Sequence, residues 1–122
     1  MKHLNKEVGN FGESLSKKYL KEKGYLIIEE NFSCPTGEID IIALHDKYLC
    51  FIEVKTRYTH KFGLPLESIT LSKQRKIIRT AQYFMCKKNL HNFFCRFDAL
   101  EIIFTDQTNF PKLNHIKNAF SC

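Results

Sequence analysis

The sequence predicts an α/β domain, a central mixed sheet with helices on its faces. Three observations carry this expectation. Two apolar runs, Glu38-Ile39-Asp40-Ile41-Ile42-Ala43-Leu44 and Tyr48-Leu49-Cys50-Phe51-Ile52-Glu53-Val54-Lys55, flank a short polar turn and read as a buried hairpin. Two longer segments, one on each side of the hairpin, carry apolar residues at helical spacing. A further apolar run, Arg96-Phe97-Asp98-Ala99-Leu100-Glu101-Ile102-Ile103-Phe104, follows the second of them, so strands and helices are interleaved rather than segregated.

In chain order, a first helix over residues 4–23 ends at Gly24, a residue that readily takes the left-handed conformation of a helix stop. Tyr25-Leu26-Ile27-Ile28 makes a first strand, and residues 31–37, with Pro35 and Gly37, form a loop into the hairpin. A two-residue loop of Asp46-Lys47 sets His45 opposite Tyr48. The segment 56–65 shows no clear periodicity and reads as a loop beside the hairpin end. The second helix begins at Ser72 as N-cap and turns Ile77, Ile78, Ala81, Phe84 and Met85 inward. After the strand over residues 96–104, the tail has room for one short strand. At 122 residues and 43% hydrophobic content the chain suits a single domain, 1–122, with one core.

Counting back from the turn brings Asp40 opposite Glu53, with cross-strand Cβ atoms roughly 4.5–5.5 Å apart. Lys55 lies two residues beyond Glu53 and so on the same face. Two carboxylates facing each other on a largely buried sheet repel, and a divalent cation bound between them relieves the repulsion. Oxygen ligands without accompanying His or Cys favour Mg2+ or Mn2+ over zinc. The plainer alternative is an ordinary Glu53–Lys55 pair at a strand end. Glu38, at the edge of the same face, reads as a strand-edge carboxylate.

The segments Gly37-Glu38-Ile39-Asp40-Ile41-Ile42-Ala43 and Phe51-Ile52-Glu53-Val54-Lys55-Thr56-Arg57 resemble the YraN-like family of small bacterial proteins. The resemblance extends over nearly the whole chain, through Phe11-Gly12-Glu13, Tyr19-Leu20, Asn31, Phe62-Gly63, Pro65, Arg96-Phe97-Asp98 and the tail His115-Ile116-Lys117-Asn118-Ala119-Phe120. It implies a restriction-endonuclease-like fold, similar to that of the archaeal Holliday junction resolvases. It also implies Asp40 and Glu53 as metal ligands, Lys55 beside the attacking water or the scissile phosphate, and Glu13 of the first helix as a further metal or water ligand. The fold's motif has a proline before the aspartate, and here Ile39 stands in that position. Metal-assisted phosphodiester hydrolysis needs such groups, because the metal lowers the pKa of water and a fixed lysine offsets charge developing on the phosphate.

Nineteen Lys and Arg against thirteen Asp and Glu give a net charge of +6, which suits a polyanionic partner such as DNA. Lys73, Lys76 and Arg79, with Arg75, Lys87 and Lys88, cluster on the second helix, and Lys17, Lys18, Lys21 and Lys23 on the first; solvated helix faces are the alternative. Arg57, Tyr58 and Lys61 in the segment after the hairpin are candidate nucleic-acid contacts, pairing phosphate charge with base stacking. Gln74 faces inward, where it orients water or phosphate or is simply a satisfied, partly buried amide. Five scattered cysteines without paired spacing indicate neither a disulfide framework nor a zinc site, and His45 belongs to the turn. No run of eighteen apolar residues and no signal-peptide core is present, so no membrane contact and a cytoplasmic location are expected. The expected activity is that of a Mg2+- or Mn2+-dependent endonuclease on DNA, with branched or junction DNA and a homodimer implied by the resolvase resemblance. The alternatives are a non-cleaving nucleic-acid-binding or adaptor module of the same fold, and a basic domain that binds an acidic protein.

Overall fold

A computed structural model of the chain describes residues 2–59, 69–105 and 110–121. The elements are α1 (Lys2–Glu22), β1 (Leu26–Cys34), β2 (Gly37–His45), β3 (Tyr48–Thr59), α2 (Leu71–Lys88), β4 (Phe94–Thr105) and β5 (Lys112–Phe120). The strands form one five-stranded sheet in sequential order, antiparallel except for the parallel β3–β4 pair. The β3–α2–β4 crossover makes that parallel pair, so the architecture is the expected α/β one with a central mixed sheet.

Each helix covers one face. Ile77, Ala81 and Phe84 of α2 pack on Ile39, Ile42, Leu49, Phe51, Phe97 and Ala99, while Leu20 of α1, with Leu15 and Tyr19, packs on Ile41, Ala43, Cys50, Ile52, Leu100 and Ile102. Successive residues of β3 therefore alternate between the α2 side and the α1 side. Central strands buried on both faces have to be apolar in a continuous run, which is why they were legible as strands.

Several boundaries differ from the sequence expectation. Residues 31–34 belong to β1, paired as far as Cys34 with Gly37, because an edge strand tolerates polar residues and the turn needs only Pro35 and Thr36. β3 runs on to Thr59 rather than ending at Lys55, held by unbroken pairing with β4 down to Thr59–Thr105, so Arg57 and Tyr58 are strand residues and not loop residues. The N-cap of α2 is Thr70, whose side chain accepts a hydrogen bond from the Lys73 amide at 3.2 Å; Ser72 lies inside the first turn. The tail strand β5 has nine residues, longer than the short strand expected.

Two close approaches fix the helices. A Cβ at Gly12 would collide with Thr56 Oγ1, so the absent side chain lets α1 lie against β3 at that point. Gly37, at φ 151°, meets α2 similarly, with Thr80 Oγ1 3.1 Å from where its Cβ would be.

At the far end of the sheet a buried polar cluster pins β5 to β4. Asp98, 0% exposed, accepts from Arg96 Nε and one Arg96 guanidinium NH2, both at 2.9 Å, and from the Asn118 amide at 3.0 Å, and it contacts His115 Nε2 at 2.8 Å. The β4–β5 register slips between the Phe97–Phe120 and Ala99–Ile116 pairs, and Asn118 takes φ 54° there, so Asp98 caps the amide that the bulge frees. Arg96 also donates to the Tyr25 hydroxyl at 2.6 Å, and Tyr25 stacks on His45 at the hairpin turn. Burial alone would raise the Asp98 carboxyl, but its hydrogen bonds from His115, Arg96 and Asn118 hold it below the usual carboxylate range.

Cys34, Cys50 and Cys86 are free thiols, and burial pushes the Cys50 thiol up to about 12. Among the described residues, no helix is long and apolar enough to cross a membrane.

Replacing Gly12 by alanine gains roughly 1 kcal/mol of helix propensity. The clash should still leave Gly12→Ala less stable than wild type by about 1–2 kcal/mol in urea denaturation. In a Thr56→Ala background the same change should be neutral or stabilising, because the colliding hydroxyl is gone.

Candidate active site

The site lies where β2 and β3 part. Their pairing runs from His45–Tyr48 at the turn to Ile41–Ile52, and the next step of that register sets Asp40 beside Glu53. The turn is the two-residue Asp46-Lys47 loop expected, with Asp46 at φ 54°.

The alternation of β2 breaks at Asp40. Ile39 and Ile42, three residues apart, both pack on the α2 side, whereas Ile41 packs on the α1 side. Asn31 of β1, between the Glu30–Ile41 and Phe32–Ile39 pairs, is at φ 51°. The resulting kink turns the Asp40 side chain towards β3, where Oδ2 accepts the Val54 amide hydrogen at 2.8 Å. The carboxylate thus serves an amide of β3 beyond the last paired residues of the two strands.

Electrostatics around Asp40 are unfavourable to its charge. Burial and the Glu53 carboxylate push the Asp40 carboxyl up to about 6, against the Val54 hydrogen bond, and the charge of Glu13 adds to the rise. Glu13 is half-buried on α1, one residue after the glycine that rests on Thr56, so the close approach of α1 brings its charge within reach of Asp40.

Glu53 is 12% exposed and forms an ion pair with Lys73 Nζ at 2.7 Å. That contact raises the Lys73 pKa, with further support from Asp40 and Glu38. Lys73 and Lys76 line a cleft of about 340 Å³ together with Gly37, Glu38, Thr70, Ser72 and Ile77. The structure therefore brings Asp40, Glu53, Glu13 and Lys73 into one electrostatic group and sets the cleft beside it.

Lys55 follows Glu53 on the α2 side of β3 and is the register partner of Glu101 on β4. Glu101 is 1% exposed and pairs with Arg57 Nε at 2.6 Å. Its other oxygen is buried with no hydrogen-bond partner among the described residues. Sequence reasoning missed Glu101, although an acidic residue inside an apolar run is the same signal that singled out Asp40. Gln74 donates from Nε2 to the Ile69 carbonyl at 2.8 Å, so its amide braces the chain entering α2. Arg79 and Lys76 lie on the exposed side of α2, and Lys17 of the first basic group pairs with Glu30 at 3.0 Å, tying α1 to β1. Lys61 lies outside the described residues.

The donor set suits a hard divalent cation. Two carboxylates converge, one with its charge disfavoured by the other, and one already drawing an ammonium group. No cluster of three or more His, Cys, Asp or Glu ligands occurs among the described residues, so water or substrate oxygens would complete the coordination of such an ion.

The raised Asp40 pKa sets a pH dependence. The unfolded carboxyl titrates near ~3.9, so between that pH and about 6 the folded chain holds the extra proton and stability falls as pH rises. Asp40→Asn keeps an acceptor for Val54 and removes the charge. In EDTA the variant should be more stable than wild type by about 1–2 kcal/mol near pH ~7.5, with the gain vanishing below about pH 4. Thermal melts across that range check it, and a variant less stable at neutral pH contradicts the electrostatic assignment.

Residues 12–102 match the model of the family described as Uncharacterised protein family UPF0102. A UPF0102 protein of Clostridium perfringens (strain ATCC 13124) is 49% identical over 120 residues, spanning 98% of each chain. One from Clostridium botulinum (strain Loch Maree) is 48% identical over 121 residues, again spanning 98% of each. The matched region includes α1 from Gly12, the hairpin with Asp40, Glu53 and Lys55, and α2. The chain belongs to the UPF0102 family, the YraN-like group whose motifs its sequence carries.

Proposed function

We propose that the protein is a divalent-metal-dependent endonuclease that hydrolyses phosphodiester bonds in DNA. The observation that carries this reading is the convergence of Asp40 and Glu53 at the parting of β2 and β3, where the Glu53 charge burdens the partly buried Asp40 carboxyl and Lys55 follows on the same strand. Asp40 and Glu53 would hold Mg2+ or Mn2+, and the ion would polarise the phosphoryl oxygen and lower the pKa of water.

The chain's own residues do the rest. Asp40 stays oriented by the Val54 amide while the second carboxylate comes from the neighbouring strand. Lys55 supplies a fixed positive charge beside the scissile phosphate, where the transition state is most negative. Glu13 acts from α1 as a further acidic group on the same centre. Lys76, Arg79 and Lys61 supply phosphate contacts that steer and hold the polyanion, while Arg57 braces β3 on Glu101 and Gln74 braces the start of α2. Branched or junction DNA is the substrate by analogy with the resolvases, and a homodimer would present two related sites to two strands. Action on DNA sets the protein in the cytoplasm.

A second reading, a DNA-binding or adaptor module that does not cut, draws on the Lys73–Glu53 ion pair, which already neutralises one of the two carboxylates.

Labelled junction, flap, single-stranded and linear duplex DNA, incubated with Mn2+, with Mg2+ and with EDTA, separates the two. A nuclease should cut only with metal, and Asp40→Asn, Glu53→Gln and Lys55→Ala should each lower the rate at least about 100-fold. DNA binding without cutting in any metal would leave the adaptor reading. Lys73→Met should tighten Mn2+ binding on the order of ten-fold in calorimetry, because the ion no longer displaces an ammonium from Glu53.

A further inference from the structure

An aromatic surface stands on the α1 side of the sheet, at the same end as the carboxylates. Phe11 of α1 is 53% exposed, and its ring centre lies 5.9 Å from that of Phe104, tilted by 40°. Tyr58 of β3 is 60% exposed and is the register partner of Phe104 in the parallel ladder. Thr56, two residues before Tyr58, meets Gly12 of α1, so Tyr58 projects to the side on which α1 lies. Phe11, Phe104 and Tyr58 thus form a row of three rings across α1, β4 and β3, two of them largely open to water.

An exposed row of large rings is costly to keep on a soluble surface and marks a contact site. Its position says what the contact is. Phe11, Gly12 and Glu13 are consecutive: the first lies on Phe104, the second on Thr56, and the third carries charge felt by Asp40. Along β3, Tyr58 is three residues beyond Lys55. Glu53 and Lys55 face α2 whereas the rings face α1, and the two sides meet at the edge of β3 that β2 leaves after Ile52, where Asp40 feels the charge of Glu13 from α1.

We infer that Phe11, Phe104 and Tyr58 are a stacking platform for unpaired nucleobases next to the scissile phosphodiester. The inference rests on the nuclease reading and specifies its substrate. A strand crossing the Asp40–Glu53 centre with its backbone towards the carboxylates has bases to bury, and every base offers a ring face to an aromatic side chain. In a closed duplex those faces are stacked on neighbouring bases and unavailable. The platform selects DNA that is splayed, flapped or single-stranded beside the cleaved bond, and it does so without reading sequence.

The test compares binding, in EDTA, of a forked DNA with unpaired arms and a closed hairpin duplex of the same sequence. Wild type should favour the fork. Phe11→Leu with Tyr58→Leu keeps apolar cover but removes the ring faces, and should weaken fork binding about ten-fold or more while leaving duplex binding unchanged. Circular dichroism melts of the double variant verify that it folds, and the single substitutions serve if it does not. Equal loss on both DNAs, or no loss on either, overturns the platform. Metal-dependent cutting that needs Asp40 but ignores both rings overturns the platform and keeps the nuclease. Failure of wild type to bind any DNA removes both. Unchanged DNA binding accompanied by loss of self-association in light scattering assigns the rings to a protein contact and overturns the inference.

Discussion

β3 stays extended for twelve residues because β4 lies parallel beside it, paired from Tyr48–Phe94 to Thr59–Thr105, and the rest of the molecule is hung on that pairing. The antiparallel partner β2 accompanies β3 only as far as Ile52. Beyond that point, among the described residues, β4 is the strand paired with β3, and Glu53, Lys55 and Arg57 project towards α2 while Thr56 and Tyr58 project towards α1. Without β4 the part of β3 beyond Ile52, more than half of the strand, would be a free end, with its charges and Tyr58 unplaced. The crossover through α2 makes the parallel pairing and at the same time delivers Lys73 to Glu53.

Among the described residues, the buried Asp98 and the partly buried Asp40 have opposite surroundings. Asp98 is met by Arg96, His115 and a bulge amide, so its charge is welcome and its role is to fasten β5 and the hairpin turn. Asp40 meets one amide and two carboxylates, so its charge is unwelcome. Removing a partner from the first kind leaves a buried charge stranded, whereas neutralising the second kind relieves strain. A site of the second kind persists where a cation or a reaction makes use of it.

The central hairpin was legible because both of its strands are buried on both faces and must be apolar throughout, and because a two-residue turn leaves one register. That register is what foretold Asp40 beside Glu53. The outer parts were less legible for physical reasons. Residues 31–34 and 56–59 are polar, and pairing partners distant in sequence, not local pattern, make them strand. Glu101 escaped notice because its counter-ion, Arg57, is on another strand and nothing local announces the pair. Lys73 read as one cation among several on α2, since only the folded chain reveals that it alone turns back onto Glu53. Gly12 was visible as part of a motif, but its reason, the contact with Thr56, needed the helix docked on the sheet.

Both outer strands of the sheet are irregular. β1 has an extra residue at Ile28 and a left-handed Asn31, and β5 has the bulge at Asn118. A passing strand finds a flat row of open amides and carbonyls on neither margin, because each kink rotates the backbone groups out of line after a few residues. The same two asparagines that aim Asp40 and free an amide for Asp98 therefore also end the sheet. At these two margins an added strand would find only short stretches of regular backbone to pair with, so the kinks disfavour growth of the sheet there.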